Sequence, residues 1–184
     1  ARVRLWGDQG NAVTISNMTS GFPMKHFWLG GVLLLVVACA GNPLDYTPAA
    51  GFDISGDWLL VPEISGAPPP RSQLRARGSM MAFVSQDFPV LHARRLRIEQ
   101  NRDSMGVTFD DGKYRDVSWG VRQRGLWNVE AGWLEGALVI VSDAKDGEAR
   151  ETILLSPDRQ MLTIEIELKA GRENLALTRI FTRI

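Results

Sequence analysis

Cysteine and histidine are nearly absent: Cys39 stands alone, and His26 and His92 are the only imidazoles in 184 residues. A lone thiol cannot form an internal disulfide, so this chain is not stapled as many small secreted domains are. With so few imidazoles, neither a Ser-His-Asp or Cys-His site nor a zinc cluster of ordinary composition can be assembled. No catalytic residue, no metal ligand and no cofactor is therefore expected, and the chain is not read as an enzyme. Surplus charge is missing too, since 21 basic side chains balance 21 acidic ones. Removing Arg2, Arg4, Lys25 and Asp8 with the first 38 residues leaves 18 basic against 20 acidic groups, which excludes a broadly basic surface for nucleic acid. The carboxylate pairs Asp110-Asp111, Asp143-Asp146 and Glu165-Glu167 fall in turns or on the wet face of a strand and read as solvated surface. The run from Asp143 to Glu148 lacks the alternating oxygen ligands of a calcium loop.

Apolar runs of the roughly 20 residues that a spanning helix needs are also lacking. A shorter one is present: Met24-Lys25-His26 is followed by an apolar stretch from Phe27 through Ala38 and then by Cys39. A short cationic start, an apolar middle and small residues at a cut are the three parts of a secretory signal. Val36-Val37-Ala38-Cys39 resembles the lipobox of bacterial lipoproteins. That resemblance implies cleavage before Cys39, lipidation of its sulfur and acylation of the new N-terminus. Two or more acyl chains anchor a protein durably where one does not. Ala40, in place of an aspartate, points under the family rule to an outer-membrane lipoprotein of the bacterial cell envelope, facing the periplasm. Residues 1–23 precede the signal and read as a non-native upstream extension, residues 24–38 as the signal peptide, and residues 39–55 as a lipidated N-terminus and flexible spacer. Residues 56–184 remain for one domain of ordinary size.

In that domain a first strand, Asp57 to Val61, ends at Pro62. A long connection to about Ala93 follows, with Pro68-Pro69-Pro70, the basic cluster Arg71, Arg75 and Arg77, and a short helix expected within Gln73 to Val84 behind Ser72. Met80, Met81, Phe83, Val84 and Phe88 fold part of this loop back onto the domain. Thereafter the pattern has period two. Leu96 and Ile98 alternate with Arg95, Arg97 and Glu99; Met105, Val107 and Phe109 follow, then Val117, Trp119 and Val121 as one strand, then Trp127, Val129, Ala131 and Trp133. Ala137 to Ser142 is apolar throughout, and Leu162, Ile164, Ile166 and Leu168 give the clearest alternation. Eight or nine short strands with turns every 8 to 12 residues predict an all-β fold. Tight turns between consecutive strands favour an antiparallel up-and-down barrel, because closure removes exposed edges.

Gly56-Asp57-Trp58 opens the first strand, and Thr178-Arg179-Ile180-Phe181-Thr182-Arg183 lies on the last. This looks like the Gly-x-Trp and late-arginine pair of lipocalin-like (calycin) barrels. The resemblance implies that Trp58 closes one end of the barrel with Arg179 or Arg183 across its ring, a contact worth about 0.5 to 2 kcal/mol. It implies a lid-like loop after strand one as well. Trp119, Trp127 and Trp133, with Met80 and Phe83 from that loop, are the candidates for lining a ligand cavity. Two partners stay open besides the membrane. One is a small apolar or amphipathic ligand, which demands an internal cavity of several hundred Å³. The other is a second envelope protein bound by a solid-cored assembly factor or inhibitor through an exposed apolar patch.

Overall fold

The computed structural model describes residues 43–70, 72 and 79–184. Cys39, the signal segment 24–38, the extension 1–23 and the basic cluster Arg71, Arg75 and Arg77 lie outside the described residues. Ten antiparallel strands make the wall: β1 Gly56–Leu60, β2 Arg95–Gln100, β3 Ser104–Phe109, β4 Tyr114–Ser118, β5 Gly120–Arg124, β6 Trp127–Leu134, β7 Ala137–Ala144, β8 Gly147–Leu155, β9 Met161–Ala170 and β10 Glu173–Arg183. They follow the order β4-β3-β2-β1-β10-β9-β8-β7-β6-β5, so the first and last strands pair with each other. The sheet wraps one shared core and leaves a seam between β4 and β5, which are consecutive but not hydrogen-bonded.

The alternation works as the pattern requires. On β9, Leu162, Ile164, Ile166 and Leu168 are buried while Glu165, Glu167 and Lys169 face water. The same alternation recurs on β2, β4 and β8, because successive side chains point to opposite faces. Hairpin turns take the residues their geometry asks for, as where Glu135 and Gly136 both adopt positive φ between β6 and β7.

The count of ten corrects the expected eight or nine. Val117, Trp119 and Val121 do not share one strand, because the chain breaks at Gly120, whose φ of +87° is a conformation that L side chains avoid. A break of this kind shifts the parity. Val117 and Trp119 stay buried, whereas Val121 is 62% exposed and Arg122 and Arg124 take the inward positions.

The connection after β1 holds 3₁₀ turns at Pro62–Ile64, Ser85–Asp87 and Pro89–Leu91 and the short helix α1, Met80–Val84, whose Ser79 Oγ accepts from Ala82 N–H. Met81, Val84, Phe88, Val90 and Leu91 pack into the mouth of the barrel. The opposite end is closed by the segment before β1. Residues 43–55 are not a free spacer: Asp45 exchanges two backbone hydrogen bonds with Trp133, the Tyr46 hydroxyl donates to Glu130, and Ile54 is wholly buried. Gly132 makes room for this segment, since a Cβ there would meet Asp45 O at 2.7 Å and Leu44 Cβ at 2.9 Å.

Candidate functional site

The lumen has three layers. At its base, Trp58 sits on β1 with its Nε1–H donating to Ile54 O at 2.9 Å. The Arg183 guanidinium lies over the Trp58 ring, 4.3 Å from the centroid, and its Nε donates to Arg159 O. Of the two arginines that compete for this role, Arg183 takes it. Trp119 and Trp133 meet edge to face at 4.7 Å beside Phe52.

At the mouth, Trp127 packs edge to face on Phe88 and donates from Nε1 to Asp87 Oδ2 at 2.8 Å. Met80 and Phe83, on α1, are 38% and 54% exposed. Arg179 is buried on the inward face of β10, opposite Ile164. It ties down the two limbs of the connection, donating from Nη1 to Gly66 O at 3.0 Å and from Nη2 to Ala93 O at 2.8 Å. Burial pulls its pKa below the ordinary arginine value, with the Asp110 carboxylate acting in the opposite sense.

Between these layers lies an ion pair that the sequence reading did not single out. Arg115 on β4 and Glu151 on β8 approach to 2.5 Å, and both side chains are almost fully buried. Arg115 also stands over the Phe88 ring at 5.5 Å. Next to the pair is a void of about 20 Å³ bounded by Val90, Leu96, Met105, Phe109, Ile140 and Ile164, among others. It has room for about one water molecule. Among the described residues this void falls short of the several hundred Å³ expected of a ligand-binding barrel, because the tryptophans close the two ends and Met81, Val84, Phe88, Val90 and Leu91 pack into the mouth. Trp119, Trp127, Trp133, Met80 and Phe83 do not line this void.

Of its lining, Arg115 Nε has no acceptor among the described residues; elsewhere in the core Arg179 Nε, Trp119 Nε1 and Trp133 Nε1 likewise have none. An unmet buried donor costs about 1 to 3 kcal/mol, so a group that brings oxygen acceptors inside would be favoured. Parity alone could have flagged the ion pair. Arg115 is two residues before Val117, and Glu151 stands between Ala149 and Ile153, so both share the apolar face of their strands. Among the described residues, no group of three or more His, Cys, Asp or Glu side chains is placed to hold a metal.

No family model and no curated protein matches the chain. Among solved structures it is similar to the wild-type fluorescent protein UnaG, at 16% identity over 71% of this chain and 96% of that one, with a TM-score of 0.48. It is also similar to a zebrafish ileal bile acid-binding protein complexed with cholic acid, at 13% identity over 71% and 98%, TM-score 0.47. A third is fatty-acid-binding protein 1 of Echinococcus granulosus, at 11% identity over 71% and 96%, TM-score 0.46.

Proposed function

We propose that the chain is a non-enzymatic lipoprotein of the cell envelope, anchored through acylated Cys39, whose barrel takes up a small amphipathic molecule with an acidic head. The anchor is supported by the Val36-to-Cys39 pattern alone. The ligand is supported by one observation above the rest: a buried ion pair and unmet donors in an otherwise apolar lumen. Apolar residues of similar volume usually match or exceed a buried ion pair in stability, so the pair is better explained by recognition than by folding. On this reading a carboxylate or comparable anion is received by Arg115, and the alkyl or ring body displaces the connection from the mouth.

A fluorescent fatty-acid analogue, 11-(dansylamino)undecanoic acid, tests it. The wild type should bind the probe with blue-shifted emission, and Arg115→Met/Glu151→Leu should lose that binding while staying folded. Equal binding by the double variant, or none by the wild type, would refute the reading. Labelled palmitate should enter the wild type in cells and not Cys39→Ala.

The filled lumen favours a second reading, a solid barrel that binds an envelope protein through α1. Met80 and Phe83 are exposed there while Met81 is buried. Changing Met80 and Phe83 to serine should then abolish partner capture and leave the fold intact.

A further inference from the structure

We infer that the seam between β4 and β5 is the ligand's entrance and that Arg122 and Arg124 on it select an anionic head group, an inference that rests on the ligand-binding reading above. Everywhere else the wall is a continuous ladder of backbone hydrogen bonds from β4 round to β5, and passage between two paired strands would break several of them. At the seam there are none to break. The cross-strand register pairs Arg122 with Val129 and Arg124 with Trp127. Residues directly opposite in an antiparallel pair share a face, so both arginines carry the inward parity of two buried neighbours. They are nevertheless exposed, because no strand lies alongside β5 at this edge. Neither makes a hydrogen bond or an ion pair with a described residue.

Below them is the polar layer. Burial and the neighbouring Arg115 guanidinium lower the Arg124 pKa, while Asp87, Glu151 and Asp116 act against that shift. Arg122 and Arg124 on β5 and Arg115 on β4 stand on the two strands that border the seam. Fixed cations lining a cleft raise the encounter rate of anions by tenfold or more, and salt screens the effect. Inward-pointing charge on an edge strand has another known use, which is to discourage edge-to-edge pairing with a second sheet. The two roles give different kinetics.

The experiment is stopped-flow uptake of 11-(dansylamino)undecanoic acid and of its methyl ester by the full chain, at low and at high salt. In the wild type, salt should slow the acid and leave the ester unchanged. Arg122→Gln/Arg124→Gln should slow the acid about tenfold at low salt, abolish its salt dependence and spare the ester. An acid rate that is indifferent to salt in the wild type overturns the inference without any substitution, so it stays open to refutation even if the variant does not fold. Equal slowing of acid and ester, or self-association of the variant with an unchanged rate in its monomer, also overturns it. A wild type that takes up neither probe refutes the ligand-binding reading itself, whereas uptake at rates the substitutions do not change refutes the entrance alone.

Discussion

The base of the barrel and its middle are finished in opposite ways. At the base the Trp58 indole has its acceptor, its ring has a cation over it, and residues 43–55 fill the opening. In the middle a charged pair is desolvated, the Arg115 Nε atom has no acceptor among the described residues, and the wall beside β5 is unpaired. One region gains stability from its Trp58 closure, with the Trp119 and Trp133 indole N–H groups left unmet among its described residues. The other holds groups that cost stability, and a domain with only about 5 to 15 kcal/mol in hand keeps such groups only where they serve another purpose.

The largest effects should come from breaking either region at its centre. Glu151→Ala leaves Arg115 buried without a counter-charge and should lower the free energy of unfolding by about 3 to 5 kcal/mol. Arg115→Met/Glu151→Leu should leave it unchanged or raise it by about 1 to 4 kcal/mol. Urea titration of both variants decides the matter, because a double variant as unstable as the single one would show that the pair is structural. Trp58→Ala at the base should cost about 3 to 5 kcal/mol and Ile54→Ala about 2 to 5 kcal/mol, with no compensating partner change available. An Ile54→Ala variant as stable as the wild type would return residues 43–55 to the role of a loose spacer.

A smaller contrast lies in pH. Hydrogen bonds from Ser55 hold the Asp53 carboxyl below its ordinary value, helped by Arg183 and Arg159, and bonds from Ser156 and Gln160 do the same for Asp158. A depressed carboxyl contributes stability that is present above the unfolded value, near 3.9, and is lost as pH falls through the lower folded value. The urea midpoint should therefore drop as pH is taken below about 4. Asp53→Asn/Asp158→Asn should show a shallower drop, and identical slopes would remove these two groups from the balance.

Much of the wall was legible because period two survives wherever a strand has one wet face, as from Leu162 to Lys169. The Trp58 closure was legible from Gly56-Asp57-Trp58, with the choice between Arg179 and Arg183 left to geometry. Three things were not legible. The break at Gly120 inverts the parity of β5, and nothing local distinguishes a strand glycine from a corner, so Val121 was grouped with Val117 and Trp119 on one strand. The Arg115–Glu151 pair joins β4 to β8 across the lumen: parity marks each residue as inward-facing, but nothing in either neighbourhood names the other as its partner. Residues 43–55 read as a spacer because small residues and prolines suit a tether as well as a plug.

The pairing of β1 with β10 has a consequence for how the molecule comes into being. Trp58 finds Arg183, its register partner, only when the final residues have been delivered, so a chain that emerges from a ribosome or threads a pore N-terminus first cannot complete its cylinder in transit. Contacts of such long sequence separation form late and slowly. The topology itself acts as a timer, leaving the barrel open until β10 has been made.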